Sequence, residues 1–258
     1  MNFKVQGKAA FAYTAAHELD PKKPTIAFLH GAGLDHSLYG LQSRYFGYHG
    51  WNVLALDLPG HGRSEGPPVS SIEGMAAWIF SVLDSLKINT VSLIGHSMGS
   101  LVSLECAAGK PDRVERIALI GVAYPMKVGE AFLEAARRNE QAAFDMETIW
   151  GHAAQVPLGA NPNPGMWMYG DTLARLARLA PGVLYNDLKA CNDYELAGDV
   201  TCPALFILGK RDVMTPPKGS LALSQRIKAR TVTVDFSGHS LMAEAPDATL
   251  DALAAFFS

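Results

Sequence analysis

The chain has 258 residues, 48% of them hydrophobic, enough to bury a large core as one α/β domain or a core with a modest insertion. Its 22 basic and 25 acidic residues leave a net charge of −3, which offers no field for gripping nucleic acid or an anionic membrane surface. Three widely separated cysteines, Cys106, Cys191 and Cys202, exclude a disulfide framework and a thiolate metal cluster, and fit a reducing cytoplasm.

The N-terminal stretch MNFKVQGKAAFAYTAAHELD has no continuous apolar run of the signal-peptide kind, so a soluble, unprocessed chain is expected. Within it, FKVQ and AAFAYT flank Gly7 and Lys8, the pattern of a two-residue hairpin at a sheet edge. Short apolar runs then recur at 25–31 (TIAFLHG), 52–60 (NVLALDLPG), 90–95 (TVSLIG), 116–123 (RIALIGVA), 204–210 (ALFILGK) and 230–236 (RTVTVDF). Near-continuous hydrophobicity of this kind marks strands covered on both faces. Segments with helical spacing alternate with them, at 71–88, 98–109 and 246–257, so a mostly parallel, doubly wound sheet is predicted.

The rhythm breaks between Tyr124 and about Leu196, where five prolines punctuate helical pieces such as GEAFLEAARRNEQAAF and DTLARLARLA. The expected division is a core over 1–123, a helical insertion over 124–195 lying on the sheet, and a second core segment over 196–258.

Two stretches match G-x-S-x-G: GRSEG at 62–66 and GHSMG at 95–99. A nucleophilic serine on this pattern needs a strand that turns sharply into a helix. Ser97 has that context, between TVSLIG and the helical SLVSLECAA, whereas Ser64 runs into Pro67 and Pro68 and cannot enter a helix. Serine is a poor nucleophile at neutral pH, so it requires a base and a third group to orient that base. In triads built on such an elbow, the acid and then the base follow the serine in the chain.

Only His152 and His239 follow Ser97, and His239 alone lies on a loop directly after a predicted strand. Asp212, just past ALFILGK, is the candidate acid; Asp199 precedes its strand, and Asp235 stands four residues from the histidine. The loop His30-Gly31-Ala32-Gly33, at the end of another strand, lets backbone N–H groups approach a ligand. Ala32 and Met98 are nominated as the two oxyanion donors, with Gly33 as the substitute for Ala32. His30 and His96 are read as structural.

Together HGAG at 30–33, DLPGHGRS at 57–64, GHSMG at 95–99, GKRD at 209–212 and GH at 238–239 resemble the α/β hydrolase fold superfamily across the whole core. The resemblance implies an eight-stranded sheet with helices on both faces and a cap inserted after RIALIGVA. Serine at the elbow sets the chain apart from the epoxide hydrolase and haloalkane dehalogenase branches, which carry Asp there. The expected activity is cofactor- and metal-free hydrolysis of a small to medium, largely apolar ester through an acyl-enzyme. C–C bond hydrolysis, aminopeptidase activity and ligand binding without turnover are the alternatives. Met126, Phe144, Trp150 and Trp167, in or at the edge of the insertion, are the expected pocket residues.

Overall fold

Four strands are apolar without alternation because both of their faces are covered: β3 (Thr25–Leu29), β4 (Asn52–Asp57), β5 (Val91–His96) and β7 (Ala204–Gly209) are buried along their whole length. The computed structural model describes residues 1–156 and 167–258. With β1 (Asn2–Val5), β2 (Lys8–Tyr13), β6 (Val114–Ile120) and β8 (Arg230–Val234), these strands form one eight-stranded sheet in the order β1-β2-β4-β3-β5-β6-β7-β8. Pairing is antiparallel from β1 to β4 through β2 and parallel everywhere else, so the doubly wound, mostly parallel sheet is observed.

Successive residues of each strand feed opposite layers, as the two-residue period requires. Ala27, Leu29, Leu93, Leu119 and Phe206 pack on one side with α2 (Ile72–Ser85) and α3 (Met98–Gly109). Ile26, Phe28, Ile94, Ile120 and Ile207 pack on the other with α1 (Gly40–Tyr48) and α10 (Pro246–Phe257). Ser71 caps α2, its hydroxyl accepting from Gly74 N at 3.1 Å.

Between β6 and β7 lie α4 (Glu130–Arg137), α5 (Gln141–Trp150), α6 (Met168–Leu176) and α7 (Val183–Asp193). Phe132, Ala135, Ala143, Leu184 and Leu188 join α4, α5 and α7 to the apolar layer that holds α2 and α3. The short α8 (Leu221–Arg226) and α9 (Leu241–Glu244) precede and follow β8. Among the described residues no helix is long and apolar enough to cross a membrane.

Three local expectations differ from what forms. The hairpin turns at Gln6 and Gly7 rather than at Gly7 and Lys8: both have positive φ, 52° and 82°, the backbone of a type I′ turn, and Lys8 opens β2. GEAFLEAARRNEQAAF is two helices, because Asn139 takes φ 54° and ends the first helical ladder. β8 is an edge strand with one solvated face, its two valines half-buried and Arg230, Thr231 and Thr233 exposed. Of the prolines expected to punctuate the insertion, Pro157, Pro162 and Pro164 lie outside the described residues.

Gln6 holds a left-handed conformation that asparagine adopts at lower cost. Gln6→Asn is expected to raise the unfolding free energy by about 0.5 kcal/mol, read as a shift of the urea midpoint at unchanged slope.

Candidate active site

The elbow forms because β5 ends where α3 must begin at once. Ser97 joins them with φ 50° and ψ −114°, a conformation that costs an L-residue about 1–3 kcal/mol. Two contacts make the glycines on either side obligatory. A Cβ on Gly95 would stand 2.1 Å from Gly99 O, and one on Gly99 would stand 2.1 Å from Leu29 O. The turn is pinned by Ser97 N donating to Ile120 O at 2.9 Å and by Ser100 Oγ donating to Gly95 O at 2.8 Å.

His239 follows β8 and is buried against this turn. Its backbone carbonyl accepts from His96 Nε2 at 3.0 Å, and the two rings lie 4.6 Å apart. His239 Nδ1 meets Asp212 Oδ2 at 2.8 Å. The Asp212 carboxylate also accepts from Thr215 Oγ1 at 2.6 Å, Thr215 N at 2.8 Å and Met214 N at 2.9 Å. Burial opposes the Asp212 charge, but His239 and these donors hold its pKa down to about 2. Burial likewise opposes a charged His239, yet the Asp212 carboxylate, with Glu147 and Glu244 beyond it, raises its pKa above the ordinary histidine value. His239 Nε2 is buried and makes no hydrogen bond, to Ser97 or to any other described residue.

Ser97 and Ala32 line a cavity of about 240 Å³ whose walls include Met126, Val128, Phe132, Trp150, Leu188 and Met214. His239 borders a second, narrow cavity of about 20 Å³ with His96, His152 and Ser240. Glu147, on α5, borders both. Met98 N stands in the first turn of α3, among the donors a helix leaves without an internal partner. Of the two candidates on the other loop, Gly33 N already donates to Asp187 Oδ2 at 2.9 Å, whereas Ala32 N donates to no described residue. The geometry therefore separates Ala32 from Gly33.

The pocket expectation needs correcting at two residues. Met126 and Trp150 line the Ser97 cavity, but Phe144 faces the apolar layer under α5 and is half-buried there. Trp167 is 75% exposed, its ring lying over Gly170, where a Cβ would meet ring carbons at 2.1 Å. Helical phase aimed Phe144 at the core, and Trp167 precedes the first turn of α6 on the outside. The remainder of PNPGMWMYG before Trp167 lies outside the described residues.

The other polar residues sort by their partners. Ser64 Oγ donates to Asp57 O at 2.7 Å and accepts from Phe11 N at 3.0 Å, so it joins β2 to the loop after β4. His30 donates from Nδ1 to Gly31 O and accepts from Leu58 N at Nε2; burial, aided by His61, lowers its pKa to about 4. Burial and the adjacent His239 bring His96 to about 3, so both rings are neutral and structural.

Sequence reasoning missed Asp187 and Glu147. Asp187, on α7, is completely buried, and its Oδ2 takes both Gly33 N and His61 Nε2, the latter at 2.7 Å. His61 Nδ1 faces Pro59 O at 3.1 Å, so both ring nitrogens donate and the ring is an imidazolium. Burial opposes each charge, but each partner overrides it for the other: Asp187 titrates below and His61 above its ordinary value. Nothing in the local pattern VLYNDLKACND marks one aspartate as buried. Thr215 did carry a signal, since Asp-x-x-Thr is a side-chain-to-backbone turn pattern.

A family profile described as the alpha/beta hydrolase family matches residues 26–252. The chain belongs to that family. The (E)-2-((N-methylformamido)methylene)succinate hydrolase of Acinetobacter baylyi is 24% identical over 238 residues, covering 90% of this chain and 89% of that protein. A putative esterase/lipase of Haemophilus influenzae is 27% identical over 250 residues, covering 91% and 83%. Among solved structures, the enol-lactonase of Burkholderia xenovorans superposes with a TM-score of 0.86 at 24% identity, covering 100% of this chain and 99% of that one. An esterase of Exiguobacterium antarcticum gives 0.83 at 18%, covering 99% and 98%. At these identities the structural likeness speaks to fold alone, in which unrelated chemistries share one scaffold.

Truncating Asp187 strands a buried imidazolium and frees Gly33 N. Asp187→Ala is expected to lower the unfolding free energy by about 3 kcal/mol, measured by denaturant unfolding near pH 6. The loss should shrink at alkaline pH: the contribution of His61, whose folded pKa is raised, is full below its unfolded pKa and fades as pH climbs through the folded one.

Proposed function

We propose that the chain is a serine hydrolase that cleaves a small to medium, largely apolar carboxylic ester through an acyl-enzyme. The observation that carries this reading is the Ser97 backbone, held in a costly turn at the wall of an apolar cavity beside the buried His239–Asp212 pair. Such a turn persists only where its surroundings enforce it, and nucleophile elbows are one of its uses. The ester- and lactone-cleaving proteins among its relatives and neighbours agree with it.

In this reading His239 Nε2, which is hydrogen-bonded to no described residue, takes the proton of Ser97 as Oγ attacks the ester carbonyl. The oxyanion is held by the Ala32 and Met98 N–H groups at the positive end of α3. The imidazolium then protonates the leaving alkoxide, and the alcohol departs. Water attacks the acyl-enzyme with His239 again as base, the acid is released and Ser97 regains its proton. Asp212 stays ionised throughout; its role is to fix the ring's tautomer and to stabilise its charged form. The helices of 124–195 are the cap, and Met126 and Trp150 are its contribution to the pocket, where flexible thioethers accept varied shapes.

The test is hydrolysis of a chromogenic ester series, from acetyl to long acyl chains, by the parent protein and Ser97→Ala. Turnover by the parent and its loss in the variant are expected, with activity falling off once the acyl chain outgrows the cavity. A parent inactive on every ester sinks the reading and moves attention to C–C and amide bonds, or to ligand binding without turnover.

The pH profile follows from His239. The base works when neutral, and its pKa is raised, so kcat/KM should fall as pH drops through an apparent pKa above the ordinary value of about 6.5. Asp212→Asn removes the nearest countercharge: the acid limb is expected to move to lower pH and kcat to drop by about 10⁴-fold.

A further inference from the structure

Glu147 stands out among the buried carboxyls because no described residue gives its carboxyl a hydrogen bond or an ion pair. The residue is 7% exposed, its Oε2 is fully buried, and neither oxygen accepts a hydrogen bond from any described residue. Three other buried carboxyls show what the fold does elsewhere. Asp212 has His239 and Thr215, Asp187 has His61 and Gly33 N, and Glu244 accepts at Oε2 from Ala153 N and Gly238 N, each at 3.0 Å, with only its Oε1 unmet by a described residue. An unpaired buried carboxyl is costly, and each one in a native fold calls for a cause, a ligand that completes it being one.

The surroundings say what would complete it. Glu147 lines the same cavity as Ser97, among Met126, Phe132, Trp150 and Leu188, none of which offers a side-chain cation. Lys127, the other charged residue of that lining, donates to Asn192 O on the exposed side at 2.7 Å. His239 also borders the narrow cavity that Glu147 shares, but its unbonded Nε2 and the unbonded Glu147 Oε2 do not pair with each other.

We propose that Glu147 is a specificity-determining residue: its carboxylate forms a subsite in the Ser97 cavity for a protonated amine carried by the substrate. A hydroxyl would donate one hydrogen bond and leave the charge in place, whereas an ammonium supplies the donor and the countercharge together. Consistent with that missing countercharge, burial pushes the Glu147 carboxyl up to about 7, nearby His239 pulling it down and Asp187 pushing it up. The inference rests on the serine-hydrolase reading for its substrate and narrows it to amino-bearing esters. An apolar cavity with one carboxylate at its wall would hold the alkyl part by burial and the cation by charge.

The test uses two isosteric pairs. Dimethylaminoethyl butanoate is compared with isopentyl butanoate, which places the cation in the alcohol. The ethyl ester of dimethylaminobutanoic acid is compared with that of its isopropyl-terminated carbon isostere, which places it in the acyl group. In at least one pair the parent is expected to favour the cationic ester by about tenfold or more in kcat/KM, carried by KM, as a charge-assisted hydrogen bond allows. Glu147→Gln should bring that ratio to about one.

Three results overturn the subsite: no preference in either pair, a preference that survives in Glu147→Gln, or equal slowing of both members, which would make Glu147 act through His239. Calorimetric binding of the dimethylbutylammonium ion, which carries no ester, separates this failure from that of the esterase reading. Binding to the parent and not to Glu147→Gln sustains the subsite even if no ester is cleaved; binding to neither removes it. The parent's ratios and its binding of the ion need no variant, so the subsite stands or falls on them even if Glu147→Gln misfolds.

Discussion

The site depends on one steric constraint, the close passage of backbone past backbone at Gly95 and Gly99. Where β5 ends, Gly95 lies against Gly99 and Gly99 lies against the end of β3, at separations no Cβ could occupy. That double contact permits the left-handed turn at Ser97 and starts α3 immediately behind it. It also brings the loop after β3, which carries Ala32, alongside the first turn of α3. The parallel register of β3, β5, β6, β7 and β8 delivers every other participant to the same edge of the sheet. A strained backbone here is offset by ordinary interactions around it: the Ser97 N and Ser100 Oγ hydrogen bonds and the fully buried face of α3.

Around that turn, electrostatics decides which groups are free to act. Four carboxyls are buried near the site, and their protonation follows their partners rather than their depth. Asp212 and Asp187 are about equally inaccessible, and each is held ionised by an imidazole ring and a backbone donor. Glu244 accepts two backbone N–H groups and anchors the His239 loop, but burial prevails over these donors and over nearby His239, and its pKa is raised. Glu147 has no donor among the described residues, and His239 favours its charge without a hydrogen bond to it. The sequence of hydrogen-bonding environments runs from several donors to none, and the member without one is the one that faces the Ser97 cavity.

What could be read from the chain was what local pattern determines. Four buried strands announce themselves by unbroken apolar runs, the alternation of strand and helix dictates the sheet, and β5 running straight into α3 separates Ser97 from Ser64. The hairpin turns one residue earlier than its local pattern predicts because Gly7 can occupy either turn position, and Gln6 accepts a positive φ. β8 departs from the doubly covered strands because RTVTV is only half apolar, the mark of an edge strand. Phe144 and Trp150 are both large and lie on one helix, and only the phase of α5 against the core sends one inward to the layer and the other to the cavity. Asp187 and Glu147 were invisible for a related reason: a charged residue on an amphipathic helix is ordinarily solvated, and its burial is a property of the helix's docking.

The docking of the helices between β6 and β7 is polar at two points. The last of these helices, α7, sinks Asp187 into the core, where one carboxylate oxygen binds both His61, from the loop after β4, and Gly33, from the loop after β3. After α5, the chain is tied to the His239 loop by Ser240 N donating to Gly151 O at 2.9 Å and by Glu244 bridging Ala153 and Gly238. Elsewhere Arg175 Nε donates to Ser37 Oγ at 2.9 Å and Arg178 meets Asp35 at 3.3 Å, whereas Met126, Phe132 and Trp150 bring apolar side chains to the Ser97 cavity. Hydrogen bonds fix position to a fraction of an ångström, whereas apolar packing tolerates change in shape. The insertion is thus held rigidly where it touches Gly33 and His239, and adaptably where Met126, Phe132 and Trp150 wall the cavity. By occupying Gly33 N, the Asp187 anchor removes that donor from the loop after β3, whereas Ala32 N donates to no described residue.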